Sequence, residues 1–251
     1  DSALVDAVHI SPNIEPRRGG VKPSILLLHY TGMRSCQAAI ELLASPASKV
    51  SCHYVIDEDG RVTQMVAEEM RAWHAGVSHW QGDDDVNSAS IGIEIHNPGH
   101  DFGAPEFPAP QMRAVLALSR DIVARNAIRP ERVLGHSDVT PQRKKDPGEI
   151  FDWASLARAG VGHWVRPSRI EAGDGGLPMG SRDAAGGAMQ AMLKEYGYGI
   201  TVTGEMDAAT AVVVTAFQRH FRPKRVDGLI DRSTLHTLER LIAALPAAET
   251  S

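Results

Sequence analysis

Three side chains that can bind a metal lie at the ends of short apolar segments. His29 directly follows the run SILLL, His136 lies in the segment LGHSD, and Asp146 comes ten residues later in the segment KKDPG. Two imidazoles and one carboxylate can hold Zn²⁺ in three positions and leave the fourth for water, which is the pattern of catalytic rather than structural zinc. Each histidine alone is more typical of a structural position, but both together with the Asp-Pro-Gly turn favour a metal site.

Two further side chains could take part in hydrolysis at such a site. Glu94 lies in the segment IGIEI, where strand alternation places it on the face opposite the three isoleucines. A carboxylate inside a strand is costly unless it is solvated or partnered, and a general base beside a metal site meets that condition. Lys144 precedes Asp146 by two residues, so in an extended segment both side chains point the same way and the ammonium could stabilise an oxyanion. A surface glutamate and a solvated lysine stay open as alternatives, and the neighbouring Lys145 competes for the role of Lys144.

A mixed α/β domain is predicted to position these residues. Their wide spacing differs from the helical His-Glu-x-x-His pattern, so separate strands and loops must hold the metal. Apolar runs and turn signals predict strands over 24–29, 52–56, 61–66, 91–95 and 132–134, of which the second and third form a hairpin. Amphipathic periodicity predicts helices over 37–43 and 110–126. Strands and helices that alternate in this way form a mixed central β-sheet flanked by helices.

The chain changes in composition after residue 165. All four tryptophans and nine of the eleven histidines precede this point. The pattern Gly-x-x-Asp-x-x-Thr begins at Gly204 and again at Gly228, with an aspartate where a helix N-cap belongs. With a helical segment over 184–196, this repeat predicts a small three-helix bundle. The predicted segments are a first domain at 1–165, a Gly- and Pro-rich linker at 166–182 and a helical domain at 183–251.

The overall composition narrows the classes of function. Hydrophobic residues make up 43% of the 251 and charged residues 23%, which excludes wholesale disorder and a disulfide-dense scaffold. The net charge of −5 argues against nucleic acid as a partner, because nucleic-acid-binding domains carry a basic surplus. No apolar run approaches the roughly 20 residues that span a bilayer. Cys36 and Cys52 are not spaced as metal ligands, and pairing between them stays open beside the simpler interpretation of two buried thiols.

Six short segments follow one another between about residues 20 and 165. They are LHYT at 28–31, SCHYVI at 51–56, WHAG at 73–76, IGIEI at 91–95, LGHSD at 134–138 and RKKDPG at 143–148. In this combination and order they resemble the type-2 N-acetylmuramoyl-L-alanine amidases. The helical segment resembles the small peptidoglycan-binding domain often attached to these enzymes, through Met189-Gln190, Gly197-Tyr198, Phe217-Gln218, Asp227-Gly228 and the repeated Gly, Asp and Thr. The whole is similar to the two-domain AmiD-type amidases of Gram-negative bacteria, whereas cytoplasmic AmpD-type enzymes typically lack the second domain.

The resemblance implies a role for ten residues. One Zn²⁺ per chain would be bound by His29, His136 and Asp146, with Glu94 as general base and Lys144 stabilising the transition state. The positions expected to contact substrate or to support the ligands are Tyr30, His53, Trp73, His74 and Asn97. One departure is Cys52, where many relatives have a small residue, and we expect it to affect packing more than mechanism.

The implied reaction is hydrolysis of the amide between N-acetylmuramic acid, or its 1,6-anhydro form, and L-alanine of peptidoglycan stem peptides. A peptidoglycan-recognition protein that binds without cutting and a zinc peptidase that cuts within the stem peptide are the alternatives. The partners would be peptidoglycan or muropeptides, and the helical domain would add affinity for the wall without chemistry. His220 and His236 are therefore expected to be isolated residues on helix surfaces. A wall-binding domain implies the periplasm, including its outer-membrane face, with the cytoplasm as the alternative.

Overall fold

The centre of the chain is a six-stranded mixed β-sheet in a computed structural model that describes residues 1–246. The strands are β1 (Ala7–Val8), β2 (Ile14–Pro16), β3 (Ile25–Tyr30), β4 (Tyr54–Ile56), β5 (Val62–Gln64), β6 (Met70–Ala72), β7 (Ser90–Ile95) and β8 (Val133–Gly135). The strand order in the central sheet is β1-β5-β4-β7-β3-β8, and β2 pairs with β6 in a separate antiparallel sheet. The predicted hairpin is confirmed, since β4 and β5 pair antiparallel.

Strands β3 and β7 bring the candidate site residues to one edge of the sheet. β3 runs parallel to both β7 and β8, so the carboxyl ends of all three strands meet at that edge. His29 lies beside Glu94 in the register of β3 and β7, and His136 follows directly after β8. The apolar residues 25–28 have no exposed surface, which confirms the predicted strand buried on both faces.

Helices flank this sheet, and the two predicted for the first domain are confirmed. The helices are α1 (Cys36–Ala44), α2 (Val86–Ala89), α3 (Ala109–Asn126), α4 (His136–Val139), α5 (Trp153–Arg158), α6 (Ala184–Tyr196), α7 (Ala208–Phe221) and α8 (Arg232–Ala243). Ser35 caps α1 by accepting a hydrogen bond from the backbone N–H of Ala38. On α3, Val115, Leu118 and Ile122 form the buried stripe that packs in one cluster with the strands.

The predicted three-helix bundle is formed by α6, α7 and α8. The Asp207 carboxylate accepts a hydrogen bond from the Thr210 backbone N–H at 2.7 Å, and Asp231 accepts one from Thr234 at 2.6 Å. Both aspartates of the repeated motif therefore cap helices, as predicted.

The segment 166–182 contains no helix and no regular strand, as expected for a linker, but it is fixed along the helical domain. The backbone N–H of Ser168 donates to the Thr237 hydroxyl at 3.0 Å, and that of Leu177 donates to the Ile230 carbonyl at 3.1 Å. Buried backbone hydrogen bonds of this kind hold a segment in one conformation. The domain boundaries at 165 and 182 stay predictions.

The two predicted domains share one hydrophobic core. Trp80, from the first domain, has no exposed surface, and its ring centroid lies 4.9 Å from that of Tyr198 and 5.9 Å from that of Tyr196. The same cluster includes Ile25 and Leu27 of β3 together with apolar side chains of α6, α7 and α8. The helical domain is therefore packed against the first domain and is not attached to it through the linker alone.

The expectation that His220 lies on a helix surface is wrong. His220 is 3% exposed, and its ring stacks on Trp153 at a centroid distance of 3.7 Å. It follows Val213 and Phe217 on α7 at helical spacing, so all three share the buried face. His236 on α8 is exposed, as expected.

Cys36 and Cys52 are both free and buried in one small cluster with apolar side chains of α1, β4 and Met65. Burial raises the pKa of Cys36 to about 12 and that of Cys52 well above its ordinary value, so neither is a reactive thiolate at neutral pH.

Within residues 1–246, none of the helices combines the length and apolar character needed to cross a bilayer.

Candidate active site

The structure brings His29, His136 and Asp146, here called the ligand triad, to one point. The Nδ1 atoms of the two histidines are 2.9 Å apart, and the Asp146 Oδ2 atom lies 3.1 Å from the first and 3.0 Å from the second. All three side chains are buried. Their backbone positions come from the end of β3, the start of α4 and the loop after it, and the Ser137 N–H donates to the Asp146 carbonyl at 2.9 Å.

This arrangement fits a single divalent metal ion. Three atoms on a tetrahedral ion at zinc–nitrogen and zinc–oxygen bond lengths are about 3.3 Å apart, close to the sides of the observed triangle. The hydrogen bonds at the far side of both imidazoles leave each Nδ1 atom unprotonated, so these two atoms and the carboxylate oxygen are all acceptors, and a shared cation resolves the conflict. Two histidines and one carboxylate also form a donor set with an open fourth position.

Hydrogen bonds at the far side of each imidazole orient its Nδ1 atom inward. His136 Nε2 donates to the Ala75 carbonyl at 3.2 Å, which leaves Nδ1 with its lone pair. His29 Nε2 lies 3.0 Å from His74 Nδ1, and His74 Nε2 lies 3.3 Å from the Ser90 hydroxyl. The Ser90 hydroxyl donates to the Val86 carbonyl at 2.5 Å, so it accepts from His74 Nε2. His74 Nδ1 then accepts from His29 Nε2, which gives His29 the same tautomer.

Burial and the contacts within the triad shift the pKa values of His29 and Asp146. Burial and the nearby charge of His136 lower the pKa of His29 to about 4, so this imidazole is neutral at pH 7. Burial alone would raise the pKa of Asp146, but the contacts with His136 and His29 outweigh it and lower that pKa. Neutral imidazoles and an ionised carboxylate are the forms that coordinate a metal.

Gly92 makes room for His74 behind the triad. A Cβ atom at Gly92 would lie 2.5 Å from the His74 ring, so only glycine fits at this point of β7. The Gly92 N–H donates to His53 Nδ1 at 2.9 Å, and His53 Nε2 lies 3.1 Å from the Met70 carbonyl. Burial lowers the pKa of His53 to about 3 and that of His74 well below its ordinary value.

Glu94 reaches the same site from β7. Its Oε2 atom is enclosed and has no hydrogen-bond partner among residues 1–246. Burial, and then the charge of Asp146, raise the pKa of Glu94 well above its ordinary value, while Lys144 opposes the shift. An unpartnered carboxylate with a raised pKa is the form expected of a group that exchanges a proton near neutral pH.

A cleft of about 420 Å³ opens over these residues. Glu94 and Lys144 both line it, and the Lys144 N–H donates to the Thr140 carbonyl at 3.2 Å, directly after the turn at 141–143. Lys145 lines it as well, so the structure leaves both lysines beside the site. Both are exposed.

The five residues expected to contact substrate fall into two groups. Tyr30, Trp73 and His74 line the cleft, and the Trp73 Nε1 atom has no partner among residues 1–246. His53 is fully buried behind the site, and Asn97 is buried in hydrogen bonds to Pro105 and Gly99, so neither lines the cleft. An apolar wall that sequence reasoning missed is formed by Met33, Leu42 and Val50. Leu42 of this wall is 45% exposed on α1.

Asp138, the last residue of the segment LGHSD, links the triad to the helical domain. Its Oδ2 atom accepts hydrogen bonds from the Gly135 N–H at 2.8 Å and from His220 Nδ1 at 2.7 Å, and its Oδ1 atom accepts one from the Tyr198 hydroxyl at 2.7 Å. Asp138 is 1% exposed and lies two residues after His136 on α4. Side chains of α7 and of the turn after α6 therefore hold the segment that carries a triad histidine.

A second contact joins the helical domain to the cleft. The Tyr30 hydroxyl lies 3.0 Å from His100 Nδ1, and His100 Nε2 lies 3.1 Å from the Glu149 carboxylate. Arg219 of α7 is 3.5 Å from the same carboxylate. Tyr30 thus lies at the end of a polar chain that begins on α7.

Comparisons with known proteins identify the family of the chain. Residues 19–149 match the family described as N-acetylmuramoyl-L-alanine amidase, and residues 184–238 match a peptidoglycan-binding domain. The chain is 35% identical over 232 residues to the N-acetylmuramoyl-L-alanine amidase AmiD of Escherichia coli strain K12, covering 87% of this chain and 82% of that protein. It is 34% identical over 168 residues to the 1,6-anhydro-N-acetylmuramyl-L-alanine amidase AmpD of Salmonella typhimurium strain LT2, covering 60% and 88%.

Two solved structures share the fold over both domains. The E. coli AmiD complex with anhydro-N-acetylmuramic acid-L-Ala-D-gamma-Glu-L-Lys has a TM-score of 0.75 at 32% identity and covers 91% of this chain and 92% of that one. AmpDH3 from Pseudomonas aeruginosa has a TM-score of 0.76 at 33% identity and covers 91% and 94%. The chain therefore belongs to the N-acetylmuramoyl-L-alanine amidase family and is a hydrolase of that class, with a peptidoglycan-binding domain after the amidase domain.

Proposed function

We propose that the chain is a zinc-dependent amidase that releases the stem peptide from N-acetylmuramic acid, including its 1,6-anhydro form. The observation that carries this proposal is the convergence of the ligand triad and the unpartnered Glu94 Oε2 atom on one cleft. A metal site with an open position beside a free carboxylate has the groups that amide hydrolysis needs.

The triad would hold the ion through the two Nδ1 atoms and the Asp146 carboxylate. When bound, zinc supplies a Lewis acid for the scissile carbonyl and lowers the pKa of a water molecule. Glu94 takes up one proton from the attacking water at Oε2, as the water oxygen bonds to the carbonyl carbon. It then delivers that proton to the alanine nitrogen as the carbon–nitrogen bond breaks.

Lys144 would stabilise the negative charge that develops on the carbonyl oxygen. It lines the cleft together with Glu94, and an ammonium placed before the reaction begins stabilises the transition state more than the neutral amide. Tyr30, Trp73 and His74 offer aromatic and polar surface for the sugar or the peptide. His53 and Asn97 would support the site from behind, because both are buried in hydrogen bonds.

The relatives support the choice of substrate. The AmiD complex holds an anhydromuramyl tripeptide, and AmpDH3 has been solved with anhydromuramic pentapeptide. The helical domain would bind polymeric wall, which favours turnover of peptidoglycan in the periplasm over recycling in the cytoplasm. Fractionation of cells that express the gene from its native start distinguishes these compartments.

Product analysis on a muropeptide tests the reaction. The zinc-loaded protein should convert a muramyl tripeptide to free sugar and intact tripeptide, as measured by mass spectrometry. No cleavage would favour a recognition protein, and a shortened peptide still joined to the sugar would favour a peptidase.

Metal analysis is the second measurement. The unsubstituted protein should contain one zinc per chain, and His136→Ala should lose the zinc together with activity, because two ligands hold zinc weakly.

A further inference from the structure

A cavity of about 910 Å³ lies on the side of the linker segment and the helical domain, larger than the cleft over the triad. No residue that lines it lines the cleft. Its lining consists of Trp164, Arg166, Pro167, Ser168, Arg169, Ile170, Arg222, Pro223, Lys224 and Arg240. The part at 164–170 and Arg240 lie outside both ranges that match a family, whereas residues 222–224 lie within the second range.

The lining carries a concentrated positive charge. Half of the ten residues are cations, none is acidic, and four of the cations are exposed: Arg166, Arg169, Lys224 and Arg240. The chain as a whole has a net charge of −5, so this surface is opposite in sign to the average. A concave surface lined by one sign of charge attracts ligands of the other sign.

Arg222 contributes to the lining from a buried ion pair. Its side chain is 1% exposed, and its Nη2 atom bonds the Thr234 hydroxyl at 2.5 Å and lies 3.3 Å from the Asp231 carboxylate. Its Nε and Nη1 atoms have no hydrogen-bond partner among residues 1–246. Both nitrogens are enclosed, and the Asp231 carboxylate balances the guanidinium charge, so the donors open to a ligand are the four exposed cations.

The wall opposite α7 is held in place. The Ser168 carbonyl accepts a hydrogen bond from the Ser233 hydroxyl at 2.8 Å, and the Arg166 carbonyl accepts one from Arg240 Nη1 at 2.9 Å. Trp164 and Ile170 add apolar surface beside the cations. A rigid cavity that combines cations with apolar surface suits a peptide bearing carboxylates and aliphatic groups better than a neutral sugar.

We propose that this cavity binds carboxylate groups of peptidoglycan stem peptides, with the four exposed cations as donors. The inference rests on the proposed function, because it takes peptidoglycan as the ligand. It places wall binding partly on the segment expected to be a linker, and it separates that binding from the catalytic cleft. Guanidinium groups bind carboxylates through paired, charge-assisted hydrogen bonds.

Sedimentation of the full chain with purified sacculi tests the proposal. In a Glu94→Gln background, which prevents digestion, Arg169→Glu with Lys224→Glu should weaken binding by about tenfold or more, the ratio expected for one lost charge-assisted hydrogen bond. Lys22→Glu with Arg113→Glu is the matched control, because these cations are exposed, do not line the cavity and change the net charge equally. Thermal unfolding of both variants checks that the fold is retained. Equal binding by the two double variants would overturn the proposal.

Two further measurements identify the ligand and separate the two proposals. Sacculi whose carboxylates have been converted to amides should bind the cavity variant and the control equally, and a persistent difference would overturn the assignment to carboxylates. Vesicles of anionic phospholipid should bind both variants equally, and a loss confined to the cavity variant on vesicles and absent on sacculi would assign the cavity to phosphate. With Glu94 restored, both variants should cleave a small muropeptide at the normal rate. If the unsubstituted protein cleaves none, the proposed function fails whatever the sacculi show.

Discussion

Removal of the His220 imidazole should weaken the contact between the helical domain and the triad. His220 Nδ1 donates to the Asp138 carboxylate at 2.7 Å, and the ring stacks on Trp153 at 3.7 Å. Asp138 in turn accepts from the Gly135 N–H, one residue before His136. The substitution His220→Ala therefore removes a hydrogen bond to a buried carboxylate and an aromatic contact at once.

The expected cost in the free energy of unfolding follows from these two losses. A hydrogen bond to a charged group contributes about 1.5–3 kcal/mol, and an aromatic pair adds about 0.5–1.5 kcal/mol. Asp138 keeps its bonds from Tyr198 and Gly135, which limits the penalty for leaving it buried. We expect a loss of about 2–4 kcal/mol. His236→Ala on the exposed face of α8 should change stability by about 0.5 kcal/mol at most.

Urea unfolding of the zinc-loaded variants measures this difference, and competition with a chromophoric chelator measures zinc affinity. We expect His220→Ala to lower zinc affinity by up to about tenfold, since support behind a ligand fixes its position. Equal unfolding midpoints and equal zinc affinity for the His220 and His236 variants would refute the reasoning. The helical domain would then be a tether whose contact with Asp138 contributes nothing to the site.

Three other substitutions test separate parts of the site and the fold. Glu94→Gln should keep zinc, by metal analysis, and lower turnover of a muropeptide by roughly 10²–10⁴, because it keeps the shape and loses the base; full activity would assign Glu94 to structure. Lys144→Ala should lower turnover at unchanged zinc content while Lys145→Ala stays near normal, and the reverse result would exchange their roles. Glu68→Gln should destabilise the protein at pH 7 and not in acid. Burial alone would raise the pKa of Glu68, but the hydrogen bonds from Arg125 and Tyr54 outweigh the effect of burial, so the folded-state pKa is lowered. The stabilisation by Glu68 is thus complete above the unfolded-state pKa and is lost as pH falls through the lower folded-state pKa. Urea midpoints of Glu68→Gln and the unsubstituted protein that differ equally at all pH values would contradict this prediction.

The positions of residues at strand ends and helix N-termini could be predicted, because the neighbouring residues in the sequence mark them. His29 follows a run of apolar residues, and Asp207 and Asp231 precede helical segments, so strand ends and helix caps are visible from neighbours alone. The contact between Asp138 and His220 joins residues 82 apart and leaves no such local signal. One clue existed, because His220 continues the buried stripe of Val213 and Phe217 at helical spacing.

The contact with the helical domain means that the amidase domain of this chain differs from an amidase domain that occurs alone. The solved AmpD derivative aligns over 96% of its length with only 63% of this chain, so an amidase domain of this fold exists without the helical domain. In this chain the corresponding surface presents Trp80, which is fully buried beside Tyr196 and Tyr198, and the Asp138 carboxylate, which accepts hydrogen bonds from two residues of the helical domain. Uncovering a large aromatic ring and a buried carboxylate is unfavourable, so residues 1–165 of this chain are not equivalent to such a free-standing domain. The two domains pack around one core, and the helical domain that would bind the wall also supports a triad histidine through Asp138.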